Sequence, residues 1–161
     1  MTNTLRATTL ERGDAKVFTV EHILSALFAL RIDNCILEMD APEPPVADGG
    51  ALTFSQMILE AGIMGLEEQT DILTLETSVA VYEDNKFITA LPYDGLRITF
   101  TSINPHPLLG TQMKDFTIDK ETYIREIAPS RTIGFTWELE AMRQMLSLIH
   151  ISEPTRHLRI S

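Results

Sequence analysis

The spacing of apolar residues changes part-way along this chain, and this change constrains the fold more than any other feature. Before residue 62, apolar side chains recur at the three- and four-residue intervals of helices, as in Val20–Phe28 and Phe54–Ala61. After residue 71, they fall in short runs separated by turn residues such as Glu83–Asn85 and Pro92–Gly95. We therefore expect an α+β fold in which small sheets are layered on helices as two-layer sandwiches.

The acidic, glycine-containing stretch Gly65–Gln69 separates the two patterns and predicts a domain boundary. Residues 1–66 then form an incomplete first α+β domain, and residues 67–145 form part of a second. Residues 146–161 match a translated sequencing adapter, so we interpret them as a non-native tail and expect the chain to be a truncated gene product. We also expect that Met1 is not the natural start.

The periodicity predicts individual elements. Thr19 is expected to cap the first helix, whose second face carries the small residues Ser25, Ala26 and Ala29 and so admits a close neighbour. Gly62 is expected to end the second helix. Further helices are expected from Asp119 to Ile127 and from Thr136 to Met145. A first strand is predicted at Cys35–Met39. Four runs are then expected to form an antiparallel meander, namely Ile72–Leu75, Ser78–Tyr82, Phe87–Leu91 and Leu96–Thr101, and Asp115–Ile118 is expected to add another strand.

Composition excludes several classes of protein. The 161 residues carry a formal net charge of −10 without a cluster of Lys and Arg, which argues against nucleic acid as a partner. The single cysteine, Cys35, excludes an internal disulfide framework, and it is expected in the core rather than as a nucleophile. No secretory leader or membrane-spanning apolar run is present, so we expect a cytoplasmic protein.

Glu21 and His22 stand side by side at the start of the first predicted helix. Neutral imidazole binds zinc and an adjacent carboxylate can take a proton from metal-bound water, so the pair fits a hydrolytic metal site. The pair also fits a solvated helix end, where the helix dipole favours glutamate, and spacing alone favours this second interpretation. No histidine follows His22 by four residues, so any metal site needs ligands from distant sequence.

Two loops hold further candidates. His106 lies between two prolines, where it could assist catalysis or serve as a structural hydrogen-bonding group. The loop Ser130–Phe135 carries hydroxyl groups and a glycine before a predicted helix, an arrangement that could face an oxyanion. Neither loop by itself identifies a catalytic site.

An ordered set of segments resembles the UDP-3-O-acyl-N-acetylglucosamine deacetylase family, the zinc amidases of lipid A biosynthesis. The resemblance runs from about Asn3 to about Gln144. Its segments are Asn3–Leu10, Thr19–His22, Ile32–Asn34, Asp48–Ala51 and Ser130–Phe135. It implies a fold of two similar α+β domains with the active site between them. It also implies a UDP-linked acylated glucosamine as substrate.

The resemblance assigns roles to four residues. Glu21 matches the general base, and His22 matches the first zinc ligand. Thr132 matches a threonine that helps to stabilise the oxyanion. Lys86 matches a basic residue near the nucleotide end of the substrate. Gly50 stands where the family's D-G-S motif has its serine.

Some expected segments are absent from this sequence. The family's H-K-x-x-D segment, which supplies the other zinc ligands, does not occur between Met1 and Met145, so we expect this chain by itself to be inactive. Two alternatives to a simple deacetylase are a non-catalytic α+β binding module and part of a fusion between a deacetylase and an acyl dehydratase.

Overall fold

The computed structural model of this chain describes residues 7–132. The chain divides into two units, Met1–Arg131 and Thr132–Ser161, and Thr132 is the one described residue of the second. The predicted helix from Thr136 to Met145 and the proposed tail lie outside the described residues. The predicted boundary after residue 66 stays a prediction, although no helix or strand lies between residues 62 and 78.

Helices and small antiparallel sheets both occur in the described part, which confirms the predicted α+β class. The strands are β1 (Leu10–Arg12), β2 (Ala15–Val17), β3 (Val79–Glu83), β4 (Lys86–Ala90), β5 (Arg97–Ile103) and β6 (Thr111–Thr117). The helices are α1 (Glu21–Ala29), α2 (Leu52–Ala61) and α3 (Lys120–Thr122), and α3 continues as a π-helix over Tyr123–Ile127.

The two longer helices, α1 and α2, pack on each other because each has an apolar stripe. Val20 and Leu27 of the first stripe are buried, whereas Phe28 is 69% exposed. Helix α2 ends at Gly62, as predicted, where a φ of 86° favours glycine. Neither helix, nor any other in residues 7–132, is long and apolar enough to cross a bilayer.

A small core joins three parts of the chain. Ala51 at the start of α2, Tyr123 in the π-helix and Ala128 after it are buried together. The partly buried residues packed against them are Ala29, Leu52, Ile124 and Ile127. The small face predicted for α1 therefore does have a close neighbour, since Ala29 lies against this cluster.

The strands form three separate hairpins within residues 7–132, rather than the predicted meander. In the β3–β4 hairpin, Val81 pairs with Ile88 and Tyr82 pairs with Phe87. The connection from β4 to β5 is longer than a tight turn, and β5 pairs with β6 instead. The β1–β2 hairpin was not predicted, although the dipeptide Gly13-Asp14 between its strands is a recognised turn signal.

Four local predictions were wrong. The runs Cys35–Met39 and Ile72–Leu75 are not strands, because neither has a hydrogen-bonded partner strand within residues 7–132. Cys35 is consequently exposed rather than part of the core. Thr19 does not cap α1; its φ is 52°, and Val20 is the N-cap residue without a side-chain cap.

Candidate active site

Glu21 is the first residue of α1, and the backbone of Thr8 fixes its side chain. Thr8 N–H donates to Glu21 Oε2 at 2.9 Å, and Val20 N–H donates to the Thr8 carbonyl at 3.3 Å. The amide of the N-cap residue Val20 has no partner inside the helix, and the Thr8 carbonyl supplies one. Within residues 7–132, no donor bonds the other carboxylate oxygen, Oε1. Among these residues, Glu21 thus has one oxygen held by Thr8 and one without a donor.

His22 follows Glu21 in the first turn of α1 and is half-buried. Successive residues of a helix are rotated by about 100° around its axis. The side chains of Glu21 and His22 therefore start from the same turn of α1 but point in different directions. In residues 7–132, no three His, Cys, Asp or Glu side chains are grouped so that they could hold a metal ion. The described residues therefore do not form a metal site by themselves, and His22 is a single candidate donor.

The other two candidates are Lys86 and Thr132. Lys86 is the first residue of β4, pairs in register with Glu83 and is exposed. Thr132 is exposed and belongs to the second unit of the chain. Of the four residues proposed from the sequence, the structure brings together Glu21 and His22.

The Asp48-Gly49-Gly50 turn precedes α2 and contacts the segment that ends at Arg131. Asp48 Oδ1 accepts from Gly50 N–H at 3.2 Å, and Asp48 Oδ2 lies 3.5 Å from Arg131 Nε. Ala51 N–H donates to the Ala128 carbonyl at 3.0 Å. The turn predicted from sequence therefore has a second role, because it holds residues 128–131.

Two residues near this site were missed by the sequence analysis. The Tyr123 hydroxyl lies 2.8 Å from Ser25 Oγ, a hydrogen bond between the π-helix and the small face of α1. Tyr123 is 3% exposed, and its place in an apolar helical pattern was the available signal. Thr8 bonds to Glu21 and Val20 through its backbone N–H and carbonyl groups. Since these groups do not depend on the side chain, the residue type gave no signal for this contact.

His106 supports its own loop. Its backbone N–H donates to Asn104 Oδ1 at 2.8 Å, and Leu108 N–H donates to His106 Nδ1 at 3.2 Å. The His106 carbonyl also accepts from the amides of Leu109 and Gly110, both at 3.0 Å. These bonds favour the structural interpretation of this histidine over the catalytic one.

A family model described as "LpxC: UDP-3-O-acyl N-acetylglycosamine deacetylase" matches residues 1–152. The chain belongs to this deacetylase family. The match includes the first residues of the segment 146–161, so the assignment of that segment to a non-native tail stays a prediction.

Curated relatives agree with this family. A UDP-3-O-acyl-N-acetylglucosamine deacetylase of Hahella chejuensis is 36% identical over 144 residues, which are 88% of this chain and 48% of the relative. The deacetylase of Syntrophus aciditrophicus is 39% identical over 143 residues, 89% of this chain and 45% of the relative. A bifunctional enzyme LpxC/FabZ of Chlorobaculum tepidum is 43% identical over 141 residues, 86% of this chain and 30% of the relative. This deacetylase-family chain thus spans less than half the length of each of these relatives.

Proposed function

We propose that this chain is part of a zinc-dependent amidohydrolase that removes the N-acetyl group from UDP-3-O-acyl-N-acetylglucosamine in lipid A biosynthesis. The observation that carries the proposal is the family match over residues 1–152. The held carboxylate of Glu21 at the start of α1 supports it, because a general base needs a fixed position. The same proposal gives a UDP-linked sugar as substrate and the cytoplasm as location.

Amide hydrolysis adds a water oxygen to the acetyl carbonyl carbon and breaks the C–N bond. One water proton passes to the nitrogen, and acetate and an amine are released. Glu21 would take the proton from the attacking water at Oε1 while Thr8 N–H holds Oε2. The hydroxyl of Thr132 would donate to the oxygen that becomes negative. Lys86, an exposed cation on β4, would contact the nucleotide end of the substrate.

Zinc is proposed as the cofactor on family membership, with His22 as one ligand. A catalytic zinc ordinarily has three protein ligands and, when bound, acts as a Lewis acid toward water and the carbonyl. Residues 7–132 contain no such group of donors. The remaining ligands would have to come from outside these residues.

The test is to join this chain to the remaining C-terminal part of the Hahella chejuensis relative and to assay deacetylation. Glu21→Gln should lower kcat by about 10²–10⁴-fold because the proton acceptor is lost. His22→Ala should abolish stoichiometric zinc binding. Glu60→Gln, at an exposed glutamate of α2, is the matched control and should leave turnover unchanged. Unchanged turnover in both site variants would refute the two roles.

A non-catalytic α+β binding module is the alternative from a different class. The exposed position of Lys86 is compatible with it, since Lys86 makes no hydrogen bond to Glu21 within residues 7–132. Zinc titration of the completed chain separates the two hypotheses, because a module should show no stoichiometric site. The fusion with a dehydratase also stays a proposal, and the bifunctional relative of Chlorobaculum tepidum is compatible with it.

A further inference from the structure

Thr19, which lies between β2 and α1, has a backbone conformation that threonine rarely adopts. Its φ is 52°, in the left-handed region. A side chain branched at Cβ makes this region costly, so the residue marks a strained turn. Within residues 7–132, neither the N–H nor the hydroxyl of Thr19 makes a hydrogen bond. Its own polar groups therefore do not stabilise the conformation.

The other described residues with a positive φ, glycines apart, each have a local reason for it. Asp84 lies in the tight turn between β3 and β4, where aspartate is common. Arg31 follows the C-cap residue of α1, where helices often end in the left-handed region. Ala47 lies in a turn that the Gly49 N–H closes. In the described part of the chain, no such turn or helix end explains Thr19.

Bonds to distant residues fix the chain on both sides of Thr19. On one side, Phe18 N–H donates to the Pro42 carbonyl at 2.9 Å. On the other, Val20 N–H donates to the Thr8 carbonyl at 3.3 Å, and Val20 is only 4% exposed. A strained conformation persists where the surrounding structure leaves the residue no alternative. These contacts together therefore hold Thr19 in the left-handed region.

We infer that Thr19 is a positioning residue, whose left-handed turn brings the carboxylate of Glu21 to the Thr8 amide. That amide donates to Glu21 Oε2 at 2.9 Å. An ordinary negative φ at residue 19 would send the chain from β2 in another direction and separate Glu21 from Thr8. The inference rests on the proposed function for the role of Glu21 as general base, because a small misplacement of a reacting group lowers the rate strongly.

The first arm of the test needs no enzymatic activity. Thr19→Pro forbids a positive φ, and it removes no hydrogen bond because the Thr19 N–H makes none in residues 7–132. Thr19→Asn is the matched control, since asparagine adopts the left-handed region readily. Hydrogen exchange at the Thr8 amide is measured in the 161-residue chain and in both variants.

Exchange at Thr8 should be at least about tenfold faster in Thr19→Pro and unchanged in Thr19→Asn. The Ser55 amide, which donates to the Ala51 carbonyl in α2, should be unchanged in both variants. Unchanged exchange at Thr8 in Thr19→Pro would overturn the inference. Faster exchange at both amides would mean that the whole chain is destabilised, and a third variant, Thr19→Gly, then decides.

Thr19→Gly tests the strained turn even if Thr19→Pro does not fold. Glycine adopts the left-handed region without steric cost, so Thr19→Gly should not lower the urea midpoint of unfolding. Thr89→Gly is the comparison, since Thr89 is an exposed threonine of β4 without a positive φ, and it should lower the midpoint. Equal decreases in the two variants would overturn the inference.

The kinetic arm uses the chain completed with the C-terminal part of the Hahella chejuensis relative. Thr19→Pro should lower kcat by about 10²-fold with little change in KM, and Thr19→Asn should restore the parent kcat. Thr89→Gly should leave kcat unchanged. Full activity of Thr19→Pro would overturn the inference, and so would an equal loss in Thr19→Asn, because the hydroxyl would then be the important group.

Failure of the inference and failure of the proposed function are distinguishable. If the completed parent does not deacetylate, the proposed function fails. The exchange arm, which needs no turnover, then decides by itself whether Thr19 positions the carboxylate of Glu21.

Discussion

Asp115 has a side-chain pKa well below its ordinary value. Arg97 Nη2 donates to Asp115 Oδ2 at 2.6 Å, and Thr99 Oγ1 donates to Oδ1 at 2.8 Å. Thr99 is opposite Asp115 in the β5–β6 register, so the network lies across two strands. The hydrogen bonds from Arg97, then that from Thr99, lower the pKa of Asp115 to about 2.

We predict that Arg97→Gln raises the pKa of Asp115 toward its ordinary value of 3.8. A carboxylate with a lowered pKa stabilises the hairpin above its ordinary pKa, and this contribution is lost as the pH falls toward 2. Carboxyl carbon NMR shifts, followed from pH 6 to acid, check the prediction. Lys16→Gln, which removes an ion pair on the β1–β2 hairpin, should not move the Asp115 titration. A parent chain in which Asp115 titrates near 3.8 would contradict it.

At the scale of single residues, the sequence predicts which chemical groups can act better than it predicts which atoms those groups contact. Glu21 and His22 were selected because a carboxylate next to an imidazole is an unusual helix start. The bond from Thr8 N–H could not be predicted, because every residue except proline has that donor. Cys35 was misplaced because burial depends on a partner element, which its own apolar run does not specify.

At the scale of elements, the π-helix Tyr123–Ile127 follows the start of α3, which Asp119 caps, and its first residue belongs to the small buried core. Asp119 Oδ1 accepts from Thr122 N–H at 2.7 Å, as a capping residue does. Beyond α3 the helix widens, and Ala128 N–H donates back to the Tyr123 carbonyl at 2.8 Å. The ring of Tyr123 is buried against the cluster with Ala51 and Ala128. The widened turn thus joins the second half of the described chain to α1 and α2.

We predict that Tyr123→Phe lowers the free energy of unfolding by about 0.5–1.5 kcal/mol, since Ser25 loses its hydroxyl partner. Tyr123→Ala should cost about 3–5 kcal/mol because a buried ring is removed. Urea unfolding followed by circular dichroism measures both values. Tyr82→Phe is the control, since Tyr82 is 74% exposed on β3. Equal unfolding midpoints for Tyr123→Phe and Tyr82→Phe would show that the bond to Ser25 contributes nothing.

The elements that sequence predicted correctly are those with local signals. The second helix ends at Gly62 as expected, and Asp119 caps the helix that was expected to follow it. The failures need information from elsewhere in the chain. Ile72–Leu75 has strand composition, but a strand forms only where a partner offers its backbone donors and acceptors. The π-helix was also not predicted, because the pattern from Asp119 to Ile127 suits an α-helix equally well.

At the scale of the whole molecule, the β3–β4 hairpin leaves much apolar surface in contact with solvent. Val81 is 65% exposed and Ile88 is 77% exposed, and the two are paired on one face. Tyr82 and Phe87, paired on the other face, are 74% and 69% exposed. Both faces of this hairpin therefore present apolar side chains to solvent.

We predict that the 161-residue chain binds the dye ANS, with a large increase in fluorescence, because this hairpin is accessible. The double variant Val81→Thr with Ile88→Thr should reduce the increase. Its free energy of unfolding should change by no more than about 0.5 kcal/mol, since both side chains are exposed. Leu27→Thr, in the buried stripe of α1, is the contrasting control and should destabilise the chain. Absence of dye binding by the parent would contradict the prediction.

The hydrogen bond between Ser25 and Tyr123 spans 98 positions of the sequence. Ribosomes add about 5–20 residues per second, so α1 is made roughly 5–20 s before the ring that covers its small face. During that interval, nascent α1 has no partner from the π-helix, and a chaperone that binds apolar segments has time to reach it. The order of synthesis therefore delays the completion of this packing until the π-helix has left the ribosome.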